Sequence, residues 1–298
     1  MIHHKKYRFF PYMGLHYGTP IIIVCILGLI AAILPIPLKP ILQAAPLSIP
    51  AFSLTNEQLM EIGFKIKRNE CGREDRCLIS WNKNENFLSL GIGHFIWYPD
   101  QVDKKSRFQE SFPVFLKFAD EQHAVSENLK RFINEGCPWR SRNEFIRAKS
   151  GPIAMELRKF LKQTFVLQVQ FIAKRAEKSV KKIISHTERE QDKIRIISNY
   201  ATLIQTPAGI YALMDYVNFK GEGILKTERH RGIGWGLKQV LLKMRLDQPG
   251  LSPVEKFSNS AQYILKRRVI NSPRRKQEMK WLKGWLARVE GYKKHSFD

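Results

Sequence analysis

The chain has 298 residues, 44% hydrophobic and 11% aromatic, which is enough apolar material to bury a core and excludes a disordered polypeptide. Lysine and arginine number 50 against 27 acidic residues, for a formal net charge of +23. That balance calls for an anionic partner: nucleic acid, acidic lipid or an anionic polymer of the cell envelope.

The first 50 residues carry four bases and no acid. Residues 1–19 form a basic N-terminus, with Lys5, Lys6 and Arg8 preceding the uncharged run 20–38, PIIIVCILGLIAAILPIPL. Such a run is close to the roughly 20 residues of a membrane span, and the positive flank keeps the N-terminus in the cytoplasm. It reads as a single-pass anchor in the inner (cytoplasmic) membrane, or as the apolar region of a signal cleaved near the small residues of LQAAP. Either fate exports residues 51–298, which removes nucleic acid as the partner and leaves an envelope polymer. Residues 39–52, with Pro40, Pro46 and Pro50, read as a linker.

Residues 53–298 read as one domain. Thr55 and Gln58 have capping-box spacing, and Leu59, Ile62, Gly63 and Ile66 follow at helical intervals, predicting a helix over 56–69. Glu70 falls four residues after Ile66 on the same stripe, at the helix end and along its buried face. Burial favours the neutral form of a carboxyl, the form a general acid needs. The alternative is a Glu that merely ends a helix.

Residues 79–98 read as short strands, with Asn82, Asn84 and Asn86 favouring a turn and Gly91 and Gly93 allowing close backbone approach. From about 112 the pattern is helical. After Gly151-Pro152 a stripe from Leu157 to Ile183 predicts a long core helix with a solvated basic face. Further helices are predicted near 188–205, 208–219, 234–246, 254–270 and 273–291. The fold class is α+β, predominantly helical, with a small β-hairpin lobe. Of the exported cysteines Cys71, Cys77 and Cys137, any two are free to pair in an oxidising compartment. No His/Cys cluster has metal-ligand spacing, and no metal or cofactor is expected.

Three segments together resemble the phage-type lysozymes. Glu70 at a helix end, a hairpin, and SLGIGHF (Ser89–Phe95) match the catalytic helix, hairpin and Gly-Ile-Gly-His strand of that family. YALMDYVNFKGEG (211–223) and GWGLKQVLLKMR (234–245) look like its central buried helix, Gly-Glu-x-Gly turn and following helix. LKRRVINSPRRKQEMKWLKGWLARVEGY (265–292) resembles its C-terminal Asn-x-x-Pro-x-Arg segment. Residues 100–205 are longer than the family's middle and match it loosely. SLGIGHFIWYP and DYVNFKGEG also resemble phrases of a group of bacterial envelope proteins, which carries no function across.

The resemblance implies a lysozyme-like fold, with a hairpin lobe and a helical lobe, that cuts the glycan strand of peptidoglycan. Glu70 takes the place of the general acid, Ser89 of the hydroxyl that orients water, and Arg275 of the arginine paired with the acid. His94 is expected to be a supporting hydrogen-bonding residue. The family's water-holding Asp falls on Lys83, so Glu85 is the nearest carboxylate for that role. An inverting glycosidase needs its two carboxyls about 6.5–9.5 Å apart. If Glu85 does not serve, Glu70 alone suffices for lytic transglycosylation, where a substrate hydroxyl attacks. Glu222, 17 residues before Gln239 of Gly-Leu-x-Gln, faintly resembles a soluble lytic transglycosylase signature and is an alternative acid. Trp81, Trp97 and Tyr98 are candidates for stacking on sugar rings, although aromatics beside strands are often core. A second class of reading keeps the fold without activity, as a peptidoglycan-binding or scaffold protein; the protein partners are not legible.

Overall fold

A computed structural model describes residues 49–71, 75–100, 109–294 and 297; the apolar run 20–38 lies outside them. Among the described residues no helix is long and apolar enough to cross a membrane. The chain is predominantly helical with a small antiparallel sheet, and residues from Ser48 onward make one unit.

The first helix, α1, spans Asn56–Cys71. It opens with the reciprocal cap anticipated from the sequence. The Gln58 amide N–H donates to Thr55 Oγ1 (3.2 Å) and the Thr55 N–H to Gln58 Oε1 (3.1 Å). Ile62 and Ile66 are fully buried, so the stripe turns Glu70 inward at the last turn. After a short 3-10 turn come β1 (Ile79–Ser80), β2 (Leu88–Leu90) and β3 (Phe95–Trp97). They pair in order as an antiparallel sheet, Ser89 lying opposite Ser80 on one side and Ile96 on the other.

The middle of the chain is α2 (Phe112–Asp120), the short α3 (Glu127–Lys130) and α4 (Phe132–Glu135), and α5 (Arg142–Ala148). The predicted long helix after Pro152 is instead two, α6 (Pro152–Gln163) and α7 (Phe165–Ser185). Thr164 breaks the run: at φ −97° and ψ 23° it leaves the helix. The carbonyl of Leu161 is then taken by the buried Gln168 side chain at 2.6 Å. The same Gln168 accepts the Ile92 N–H (2.9 Å), so α7 fixes the loop that carries His94. Gly91 sits there at φ +70°, and a Cβ on it would lie 2.3 Å from Gln168 Oε1. No other residue fits that approach.

The rest is α8 (Glu190–Leu203), α9 (Pro207–Lys220), the hairpin β4 (Arg229–His230) and β5 (Ile233–Gly234), α10 (Leu237–Lys243), α11 (Pro253–Asn271) and α12 (Arg275–Glu290). In α9 every residue from Gly209 to Tyr216 is buried, the mark of a central helix apolar on all sides. It packs against α1, α7, α8, α10 and α11. The one charged residue in that run, Asp215, is fully buried. Proline 273 ends α11, because the residue before a proline disfavours helix, and α12 folds back onto α11. Cys77 is disulfide-bonded, whereas Cys137 is a buried free thiol; pairings of Cys137 with Cys71 or Cys77 are therefore excluded.

Candidate active site

Glu70 ends α1 with its side chain 14% exposed. Its Oε1 accepts from Arg288 Nη2 at 2.5 Å, and its Oε2 lies 3.4 Å from His94 Nδ1. Arg288 comes from the last turns of α12. It is a correction to the expectation for Arg275, which begins α12 and is exposed. The two lie on one helix, but only Arg288 follows the buried edge of α12 that meets α9.

Behind this pair sits Asp215. Arg288 donates to it through Nε and Nη2, both at 2.8 Å, and Tyr292 Oη donates at 2.6 Å. Asn69 Nδ2 donates to Asp215 Oδ1 (3.0 Å) and to Tyr211 Oη (2.8 Å). Burial pushes the Asp215 carboxyl up, but Arg288, Tyr292 and Asn69 outweigh it and hold the carboxyl below the usual range. Burial likewise opposes the charge on Arg288, and Asp215 and Glu70 outweigh it, keeping the guanidinium protonated. The Nε–Nη2 fork grips Asp215 with two donors, and Nη2 also holds the Glu70 carboxyl. Its carbon also lies 4.1 Å from the Phe219 ring centroid.

His94, at φ 47°, lines a cleft of about 190 Å³. Its other ring nitrogen, Nε2, is buried without a hydrogen-bond partner. The cleft runs between Gly93–Ile96, the face of α7 carrying Arg175 and Ser179, and the end of α9 with the turn after it. Glu222 lines its far wall, paired with Lys182 at 2.7 Å. Glu222 and His94 thus share one cleft; Glu70 does not line it and stands behind His94, 3.4 Å from its Nδ1.

The hairpin residues fall elsewhere. Glu85 is half-buried and its Oε2 accepts from Asn82 Nδ2 at 3.0 Å, within its own turn; Lys83 is exposed. Ser89 is buried in the central strand at 4% exposure. The three candidate sugar-stacking aromatics are core, which overturns that expectation. Trp97 is fully buried against Phe112 (4.7 Å between ring centroids), and Tyr98 is 2% exposed against Phe87. Trp81 is 6% exposed, and its indole N–H donates to the Glu85 carbonyl. Helix α2 covers Trp97 through Phe112, and α5 packs Phe145 on Trp81. Among the described residues no group of three or more His, Cys, Asp or Glu side chains is arranged to hold a metal ion.

Sequence reasoning did not find Arg288, Asp215, Asn69 or Tyr292. A signal existed for one: an Asp inside the apolar run YALMDYV demands a buried cation or several donors. No protein-family model, curated protein or solved structure matches this chain.

Proposed function

We propose that the protein cleaves the glycan strand of peptidoglycan, with Glu70 as the general acid, in a lysozyme-like domain held at the outer face of the cytoplasmic membrane by residues 20–38. The observation that carries this reading is the Glu70 carboxyl itself. It is placed at a helix end, clamped on one oxygen by Arg288, and turned by the other toward His94 at the rim of an open cleft. A positioned carboxyl beside a glycosidic oxygen donates the proton that lets the sugar leave. The +23 charge suits an anionic wall polymer.

A second reading of the chemistry is favoured by Glu85. Its carboxylate is held by Asn82 in its own turn, which favours attack by the substrate over attack by a carboxylate-held water. In that route Glu70 protonates the leaving O4 as the C1–O4 bond breaks. The muramic 6-hydroxyl then bonds to C1 and returns its proton to Glu70, leaving a 1,6-anhydro end.

The test uses the full-length chain on purified sacculi. Release of soluble muropeptides, lost in Glu70→Gln, supports the reading; 1,6-anhydro ends assign transglycosylation and reducing ends hydrolysis. Intact sacculi with the wild-type protein overturn it, and retention of the protein on those sacculi then favours a binding or scaffold role.

A further inference from the structure

Most of the charged groups lining the cleft are already occupied. Arg268 makes a forked pair with Glu278 at 3.0 and 3.1 Å. Lys220 Nζ lies over the rings of Trp285 (3.5 Å) and Phe219 (3.7 Å). Glu222 is paired with Lys182, and both oxygens of Glu228 accept backbone N–H groups of residues 222–225.

Arg175 is different. Among the described residues its guanidinium has no hydrogen bond and no ion pair; its nearest ring contact is Phe171, 5.8 Å from centroid to guanidinium carbon. It lines the cleft with Ser179, one helical turn further along α7, facing Val217 and Asn218 of α9. A smaller hollow opens beside it, lined by Ile172, Arg175, Ser179, Val217 and Asn218. Burial disfavours its charged form, and only the through-space field of Glu222 opposes that. An unpaired, partly desolvated guanidinium costs stability, and its planar fork matches a carboxylate through two parallel N–H donors.

We propose that Arg175 is the carboxylate-recognising residue of this cleft, binding the acid group that a muramic residue or its stem peptide presents along the strand. This rests on the glycan reading above and names what distinguishes the substrate: a glycan bearing carboxylates is preferred over a neutral one. A muramic residue freed of its peptide offers the lactyl carboxylate, and a residue still carrying its peptide offers the stem carboxylates.

The experiment is calorimetric titration of the full-length Glu70→Gln protein, which does not turn over, with three tetrasaccharides. These are chitotetraose, which has no carboxylate, a peptide-free muramic tetrasaccharide, and the same glycan with its stem peptides. At least one acidic probe is expected to bind about tenfold or more tightly than chitotetraose, the better probe identifying the carboxylate. Adding Arg175→Gln, with folding checked by circular dichroism, abolishes the preference and leaves chitotetraose affinity unchanged. Arg175→Lys restores part of it, since charge remains without the fork. A preference that survives Arg175→Gln, or acidic probes no tighter than chitotetraose, overturns the proposal. Sacculi cut without a carboxylate preference sink this inference alone, and a preference without cutting sinks the enzyme reading alone.

Discussion

Arg288 reaches Glu70 with the same Nη2 that holds Asp215, joining residues 218 positions apart in the chain. The acid at the end of α1 is therefore set by the buried network between α9 and α12. Asp215 is the fixed point, being fully buried and bonded by Arg288, Tyr292 and Asn69. Position of the candidate acid and stability of the helical core rest on one guanidinium.

Removing that guanidinium is expected to be costly. Arg288→Ala leaves Asp215 buried without its cation and lowers stability by about 3–5 kcal/mol. Arg288→Lys keeps the charge but not the fork that grips Asp215 while Nη2 holds Glu70, so it retains more stability while losing the muropeptide release proposed above. Tyr292→Phe removes one donor to Asp215 and costs about 1–3 kcal/mol. Urea unfolding midpoints rank the three variants, with Arg288→Ala lowest.

The same network sets a pH dependence. Asp215 is held below the ordinary carboxylate range in the folded protein, so the folded state binds its proton less readily than the unfolded state. Its contribution to stability is therefore complete above the unfolded value of about 3.9. It is lost as pH falls through the lower folded value. Stability measured by urea unfolding should fall on the acid side below about pH 4, and Asp215→Asn, although less stable at neutral pH, should flatten that limb. An unchanged acid slope in Asp215→Asn rules out Asp215 as its source.

The helical frame was legible because burial imposes a period on the chain. Helix α1 was expected to end at 69 and ends at Cys71, and α11 and α12 fall within two residues of expectation. The break at Thr164 was not legible, since the apolar stripe runs through it and only the Leu161-to-Gln168 bond reveals the diversion. The stripe that buries Ile62 and Ile66 points to Glu70, and the motif resemblance points to it again. Its partner is not legible in the motif, which points to the exposed Arg275, because the packing of α12 on its neighbours brings Arg288 to Glu70. Trp97 and Tyr98 show a related limit: strand alternation gives two faces, and the sequence does not say that α2 covers one of them.

Burial also determines a cysteine. Desolvation, with Asp100, Glu110 and Glu144 nearby and only a backbone hydrogen bond from Trp139 opposing, pushes the Cys137 thiol up to about 12. The reactive thiolate is then scarce at pH 8. Iodoacetamide at that pH should leave Cys137 unmodified in the native protein and label it in denaturant, as read by peptide mass mapping. Native labelling at a rate typical of exposed thiols contradicts this burial.

The turn that floors the cleft depends on one carboxylate. Glu228 Oε1 accepts the N–H of Glu222 (3.1 Å), while Oε2 accepts those of Gly223, Ile224 and Leu225 at 2.7, 3.0 and 3.1 Å. Gly221 enters the turn at φ +80°, where a Cβ would lie 1.8 Å from Glu228 Oε1. Glu228→Gln replaces one acceptor by an amide NH2 that faces donors, and should cost about 1.5–3 kcal/mol locally. Gly221→Ala meets both the positive φ and the carboxylate, and acts on the same turn. Hydrogen exchange at amides 222–225 is the direct readout, since local opening governs it. Both variants should speed exchange there and weaken glycan binding in the cleft, while amides in the middle of α9 stay protected. Fast exchange throughout α9 in Glu228→Gln would mean that the carboxylate supports the whole helical core and is not confined to the turn.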